Sequence, residues 1–130
     1  VRELKGGPQR ISYILSSLGY DLRLSTREHK VFRHISSTIV DPKRFQPRNL
    51  EKMPLESDEH GRYFILMANS YGVSVALEKL SLPADVTAIC VGKTTYSGCG
   101  VIANVNPAEA GWSGHLTLEF SNSAAADCRI

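Results

Sequence analysis

The sequence predicts an all-β domain, a barrel or jelly roll with little helix. Three observations carry that expectation. Apolar runs of about five to seven residues recur along the second half, each closed by glycine, proline or asparagine. The run His115-Leu116-Thr117-Leu118-Glu119-Phe120 alternates with period two, placing Leu116, Leu118 and Phe120 on one face and His115, Thr117 and Glu119 on the other. Helix signals are scarce: only Thr94 to Cys99 reads as a short helical turn.

In chain order, residues 1–10 contain Gly6-Gly7-Pro8 and read as a loose lead-in. Gly19 to Leu24 alternates and predicts a strand, as does Lys30 to Ile35, with the β-branched Thr38-Ile39-Val40 following. Asp41-Pro42-Lys43 breaks that run. Residues 41–61 hold Pro42, Pro47, Pro54 and Gly61 among many charges, which predicts a long covering or functional connection. Strands are then expected at Tyr63–Met67, at Tyr71–Leu77, at Val86–Val91 ending in Gly92, and at Val101–Val105 ending in Asn106-Pro107. The last is His115–Phe120, ending in Ser121-Asn122. No internal repeat is present, and no low-complexity tract beyond Ala124-Ala125-Ala126.

The 130 residues form one expected domain, and 42% hydrophobic residues suffice for a core without metal or disulfide staples. A formal charge of +2 implies neither nucleic acid nor a membrane surface as partner. No apolar stretch approaches the roughly 18 residues of a membrane span, and no signal-peptide pattern is present. The three cysteines, Cys90, Cys99 and Cys128, show no paired spacing and read as buried free thiols of a cytoplasmic protein. The chain starts at Val1 and stops at Cys128-Arg129-Ile130, which reads as mid-strand, so a domain incomplete at both ends is expected.

The chemistry-bearing residues are polar and glycine-rich. The Cys-x-x-Cys of zinc nucleobase deaminases is missing, and His29, His34, His60 and His115 lack ligand spacing, so no metal-ligating residues are assigned. Walker-type loops and Gly-x-Ser-x-Gly elbows are also missing. Gly92-Lys93-Thr94-Thr95 closes an apolar strand; its backbone N–H groups, hydroxyls and ammonium suit phosphate oxygens, or simply end the strand in solvent. In the loop from Pro107 to Trp112, the indole is either core packing or the wall of a base pocket. Glu119 is either a solvent-facing strand carboxylate or a general base; apolar walls raise a carboxylate's pKa and suit it to proton shuttling.

Taken together these segments resemble the dCTP deaminase family, a branch of the dUTPase-like β-fold. The resemblance runs from about Ile11 to Ile130 and rests on residues 16–23, Lys30-Val31-Phe32, residues 39–43, residues 90–96, Cys99-Gly100 and residues 111–122. It implies a dUTPase-like distorted barrel or jelly roll that hydrolyses dCTP to dUTP and ammonia without zinc, supplying the dUMP/dTTP pathway. It also implies Mg²⁺ accompanying the triphosphate, and a homotrimer with sites between subunits. By this resemblance Glu119 is the general base. Thr94, in the turn that orders the attacking water, is its catalytic companion. Lys93, Thr94, Thr95, Tyr96, Ser97 and Gly98 form the substrate-binding turn. Thr117 and Leu118 lie beside the base ring, and Glu109 and Trp112 near the sugar and base.

Three departures from the family pattern stand out. The family's active-site arginine is Gly98 here, its first turn serine is Thr94, and the strands and glycine-rich tail that follow in the family lie beyond Ile130. Gly98 and the tail raise the alternative of a non-catalytic nucleotide-binding or assembly module. The related folds raise another, a bifunctional deaminase-pyrophosphatase releasing dUMP, with Asp21 near a metal.

Overall fold

The computed structural model describes Leu15, residues 19–32 and residues 39–130, and its fold is all-β, as the alternation predicts. Its centre is an antiparallel sheet of five strands. The strands are β1 (Leu24–Phe32), β2 (Leu50–Lys52), β6 (Tyr71–Ser81), β8 (Val101–Ala103) and β10 (Ser113–Asn122), in the order β2-β1-β6-β10-β8. Three two-stranded ladders flank it: β3 (Glu56–Asp58) with β4 (Gly61–Tyr63), β5 (Ile65–Leu66) with β11 (Cys128–Arg129), and β7 (Ala88–Cys90) with β9 (Asn106–Ala108). Among the described residues a single four-residue α-helix, α1 (Thr94–Ser97), sits where the helical turn was expected.

Period-two alternation builds two core clusters between the sheet and its ladders. Val31, Leu66 and Val101 are buried together, with Met53, Tyr96, Phe120, Cys128 and Ile130 packed around them, joining the sheet to β5 and β11. Ala76, Ala108 and Leu116 form the second, with Leu22, Leu82, Ala88, Cys90, Trp112 and Leu118, joining the sheet to β7 and β9. Leu116, Leu118 and Phe120 thus all face the core, as their spacing requires.

Several boundaries differ from expectation, each for a physical reason. Where strands were predicted at residues 19–24 and 30–35, one strand, β1, runs from Leu24 to Phe32 through the gap between them, with a register shift between Leu24 and His29 against β6. Its core-facing Ser25 and His29 are polar, so hydrophobicity hid the continuity. Gly19 to Arg23 carries no ladder beyond an isolated bridge from Tyr20 to Leu15. The end of the second predicted strand, from Arg33, and Thr38 lie outside the described residues, as do residues 1–10. Ile39 and Val40 are exposed and outside any strand. The long connection of residues 41–61 is not irregular: it holds two 3₁₀ turns, Pro42–Arg44 and Pro47–Asn49, then β2 and β3. These strands are short and charged because they lie at exposed edges. Asn106-Pro107, read as a breaker, begins β9, where an exposed Pro107 sits in a short ladder. None of the three cysteines is fully buried, Cys99 being exposed and Cys90 and Cys128 half-buried, although all three thiols are free.

His29 lies wholly inside. Its Nδ1 is 2.6 Å from Ser74 Oγ, its ring tilts against Phe64 at 5.2 Å, and Nε2 has no hydrogen-bond partner. Gly72 makes room for it: a Cβ there would stand 2.5 Å from His29 Cε1 and 2.9 Å from Leu66 Cδ1. Burial lowers the His29 pKa to about 4. Below its ordinary value the unfolded chain takes up a proton that the folded chain refuses. Stability from this group is therefore complete above pH ~6.5 and lost as pH falls towards 4, by up to about 3 kcal/mol. Urea denaturation of wild type and His29→Gln at pH 7 and pH 5 checks this. The wild type loses more stability than the variant, and equal losses would show that His29 does not carry the effect.

Candidate active site

Antiparallel register decides which residues stand beside Glu119. On β10, Glu119 pairs with Val73 and Ser121 with Tyr71, so Glu119 and Tyr71 are diagonal neighbours on the face opposite Leu118 and Phe120. Burial is the largest cause that raises the Tyr71 phenol pKa; the charge of Glu119 and a hydrogen bond with it add to the rise. On the other side, Asn104 Nδ2 donates to Glu119 Oε2 at 2.7 Å, while the Asn104 backbone N–H donates to Glu119 O at 2.9 Å. Glu119 is half-buried, and its carboxylate is held between a phenol and an amide.

The phosphate-like turn packs on β8. Gly92 packs so closely on Ala103 that a Cβ would stand 3.2 Å from Ala103 Cβ and 3.4 Å from Ala103 N. Ala103 pairs with Phe120, so the turn at Gly92 packs on the core face of β8, opposite the face that carries Glu119. Lys93, half-buried, donates from Nζ to Asp21 Oδ2 at 2.7 Å and precedes α1. Thr94 and Thr95 expose their side chains at the start of that helix. The ammonium and hydroxyls of the turn suit an anionic group, and the half-buried carboxylate of Glu119 suits proton transfer. Among the described residues no group of three or more His, Cys, Asp or Glu side chains is placed to hold a metal ion. Among the described residues no helix is long and apolar enough to cross a membrane.

Residues 8–130 match the family described as dCTP deaminase-like. The chain belongs to the dCTP deaminase-like family. It is 44% identical over 130 residues to the dCTP deaminase of Dechloromonas aromatica, covering 100% of this chain and 65% of that protein. It is 45% identical over 124 residues to the dCTP deaminase of Xanthomonas oryzae pv. oryzae, covering 95% of this chain and 62% of the relative. With the dCTP deaminase of Campylobacter jejuni it shares 44% over 120 residues, 92% and 61% of the two lengths. The chain therefore spans a little under two thirds of the curated relatives it matches.

The remaining residues expected in a dCTP deaminase-like site are dispersed. Tyr96 turns inward onto Val31, Leu66 and Val101, anchoring α1; burial, then the nearby Cys128, raises its pKa. Ser97 Oγ donates back to Lys93 O at 3.3 Å. Gly98 ends α1 in right-handed geometry, φ −63° and ψ −21°, where a Cβ would meet Thr94 O at 3.4 Å, an ordinary contact. Thr117 exposes its side chain beside Glu119, and Leu118 points into the core. Trp112 packs on the cluster of Ala76, Ala108 and Leu116, its ring resting on Gly114. Glu109 is exposed in the turn before β10, accepting the Trp112 N–H at 3.0 Å. Trp112 lies seven residues upstream of Glu119, just before β10 begins at Ser113. Asn104 and Tyr71, which touch Glu119, carry no local motif; only their places in neighbouring strands reveal them.

Proposed function

We propose that the whole protein hydrolyses dCTP to dUTP and ammonia, with Glu119 as general base. The observation that carries this reading is a half-buried strand carboxylate fixed by the Asn104 amide. Glu119 takes a proton from water as the hydroxyl adds to C4 of cytosine, leaving the electron pair on ring N3. Returning that proton to the exocyclic amine breaks the C–N bond and releases ammonia. The hydroxyl proton then passes to N3, giving uracil. No zinc is needed in these steps.

Lys93, Thr94 and Thr95 would bind the triphosphate, with Lys93 exchanging Asp21 for phosphate oxygens. Mg²⁺, where it accompanies the triphosphate, would offset phosphate charge. Asp21, partly exposed beside Lys93, is a carboxylate suited to one of its outer positions. Exposed Ile89, Val91, Ile102 and Val105 support association into a homotrimer, and the separation of Trp112 from Glu119 supports sites completed between subunits. Free thiols support a cytoplasmic location. Product analysis of the complete protein with dCTP tests the reading: dUTP and ammonia support it. Release of dUMP and pyrophosphate would indicate the bifunctional reaction, and binding without any product would refute catalysis.

One observation favours the second reading, a nucleotide-binding module without turnover: Gly98 stands where the resemblance places an arginine. The backbone there accepts a side chain without strain. Gly98→Arg is expected to raise deamination roughly ten-fold or more, since a charged donor to a developing oxyanion typically contributes that much. Unchanged turnover in the complete protein would rule out arginine loss as a limit on activity.

A further inference from the structure

We propose that Asn104 is a positioning residue for Glu119, itself fixed by Asn106; the proposal deepens the deaminase reading and rests on it. Both hydrogens of the Asn104 amide are used. One goes to Glu119 Oε2 at 2.7 Å, the other to Asn106 Oδ1 at 3.4 Å. Asn106 in turn donates from Nδ2 to Thr117 O at 3.1 Å. The chain of amides starts and ends on β10, two residues apart, and this sets the orientation of each amide: a reversed Asn104 would turn its oxygen on the carboxylate. The backbone bond from Asn104 N to Glu119 O holds the two residues in register.

The consequence is that Oε2 is committed to Asn104 while the Tyr71 phenol neighbours the carboxylate from β6. The bond to Oε2 fixes the orientation in which the carboxylate meets the proton it accepts. Because the donor is a neutral amide and not an ammonium or guanidinium, the carboxylate can still carry that proton between water and amine. Sequence alternation does not point to Asn104; the β8–β10 register does.

The test uses the complete protein. Asn104→Leu removes the donor and keeps the bulk at an exposed position. It is expected to lower kcat roughly ten- to hundred-fold, leave KM for dCTP within about two-fold, and move the acid limb of the kcat profile up by about one pH unit. Asn104→Asp, which sets a second carboxylate against Glu119, is expected to move that limb further. The carboxyl ¹³C titration of Glu119, followed without nucleotide, should move upward in Asn104→Leu whether or not dCTP is turned over. An unchanged titration, or a lower kcat with an unmoved acid limb, overturns the positioning role. An upward titration in a protein that releases no ammonia supports the contact and refutes the deaminase reading instead.

Discussion

Glu119→Gln in the complete protein is expected to lower ammonia release from dCTP by about 10²–10⁴-fold while dCTP still binds. Glutamine keeps the length and shape of glutamate, and its side-chain oxygen can still accept from Asn104 Nδ2. What it lacks is a lone pair basic enough to take a proton from water. Strand β10 is held by the backbone pairs with β6 and β8, which the substitution does not touch, so folding is expected to be retained. Ammonia release and dCTP binding measured on the same sample separate chemistry from affinity. A variant as active as the wild type would remove Glu119 from the mechanism, and Asn104 with it.

Asn122→Leu is expected to destabilise the protein by about 3–5 kcal/mol, the largest effect on folding proposed for any side chain here. Asn122 is 2% exposed at the end of β10. Its Nδ2 donates to Leu66 O at 3.0 Å, Met67 O at 3.1 Å and Ala126 O at 2.9 Å, and its Oδ1 accepts from Ala124 N at 3.0 Å. These bonds join β5, the turn at residues 123–127 and β10, and that turn also bonds Gly100 through Ser123 N at 2.9 Å. Leucine matches the volume but strands several backbone groups away from water, each at a desolvation cost of about 1–3 kcal/mol. Urea denaturation of wild type and variant measures the difference. A loss below about 1 kcal/mol would show that water or a backbone shift replaces the side chain.

How much of this was legible follows from where the information sits. Leu116, Leu118 and Phe120 face the core because side chains on a strand alternate, and that needs no tertiary knowledge. The helical turn after Gly92-Lys93 was likewise local. Strand β1 was split in two because Ser25 and His29 are buried polar residues; Ser74, opposite His29 on β6, pairs with Nδ1 of that ring, and it lies 45 residues away in sequence. Asn122 read as a strand-ending turn residue, and it does end β10, but its side chain organises three segments that come together only on folding.

For the candidate site the division is the same. By itself the sequence determined an all-β chain, a strand carboxylate at Glu119, the polar turn from Lys93 to Thr95 and, through ordered motifs over most of its length, a family. Only the tertiary structure decided that Asn104 and Tyr71 flank that carboxylate, that Tyr96 serves the core, and that Trp112 packs away from Glu119 along the strand. The physical reason is that alternation and turn chemistry act between neighbours in the chain. The partners of a carboxylate are set instead by which strands pair, and in what register.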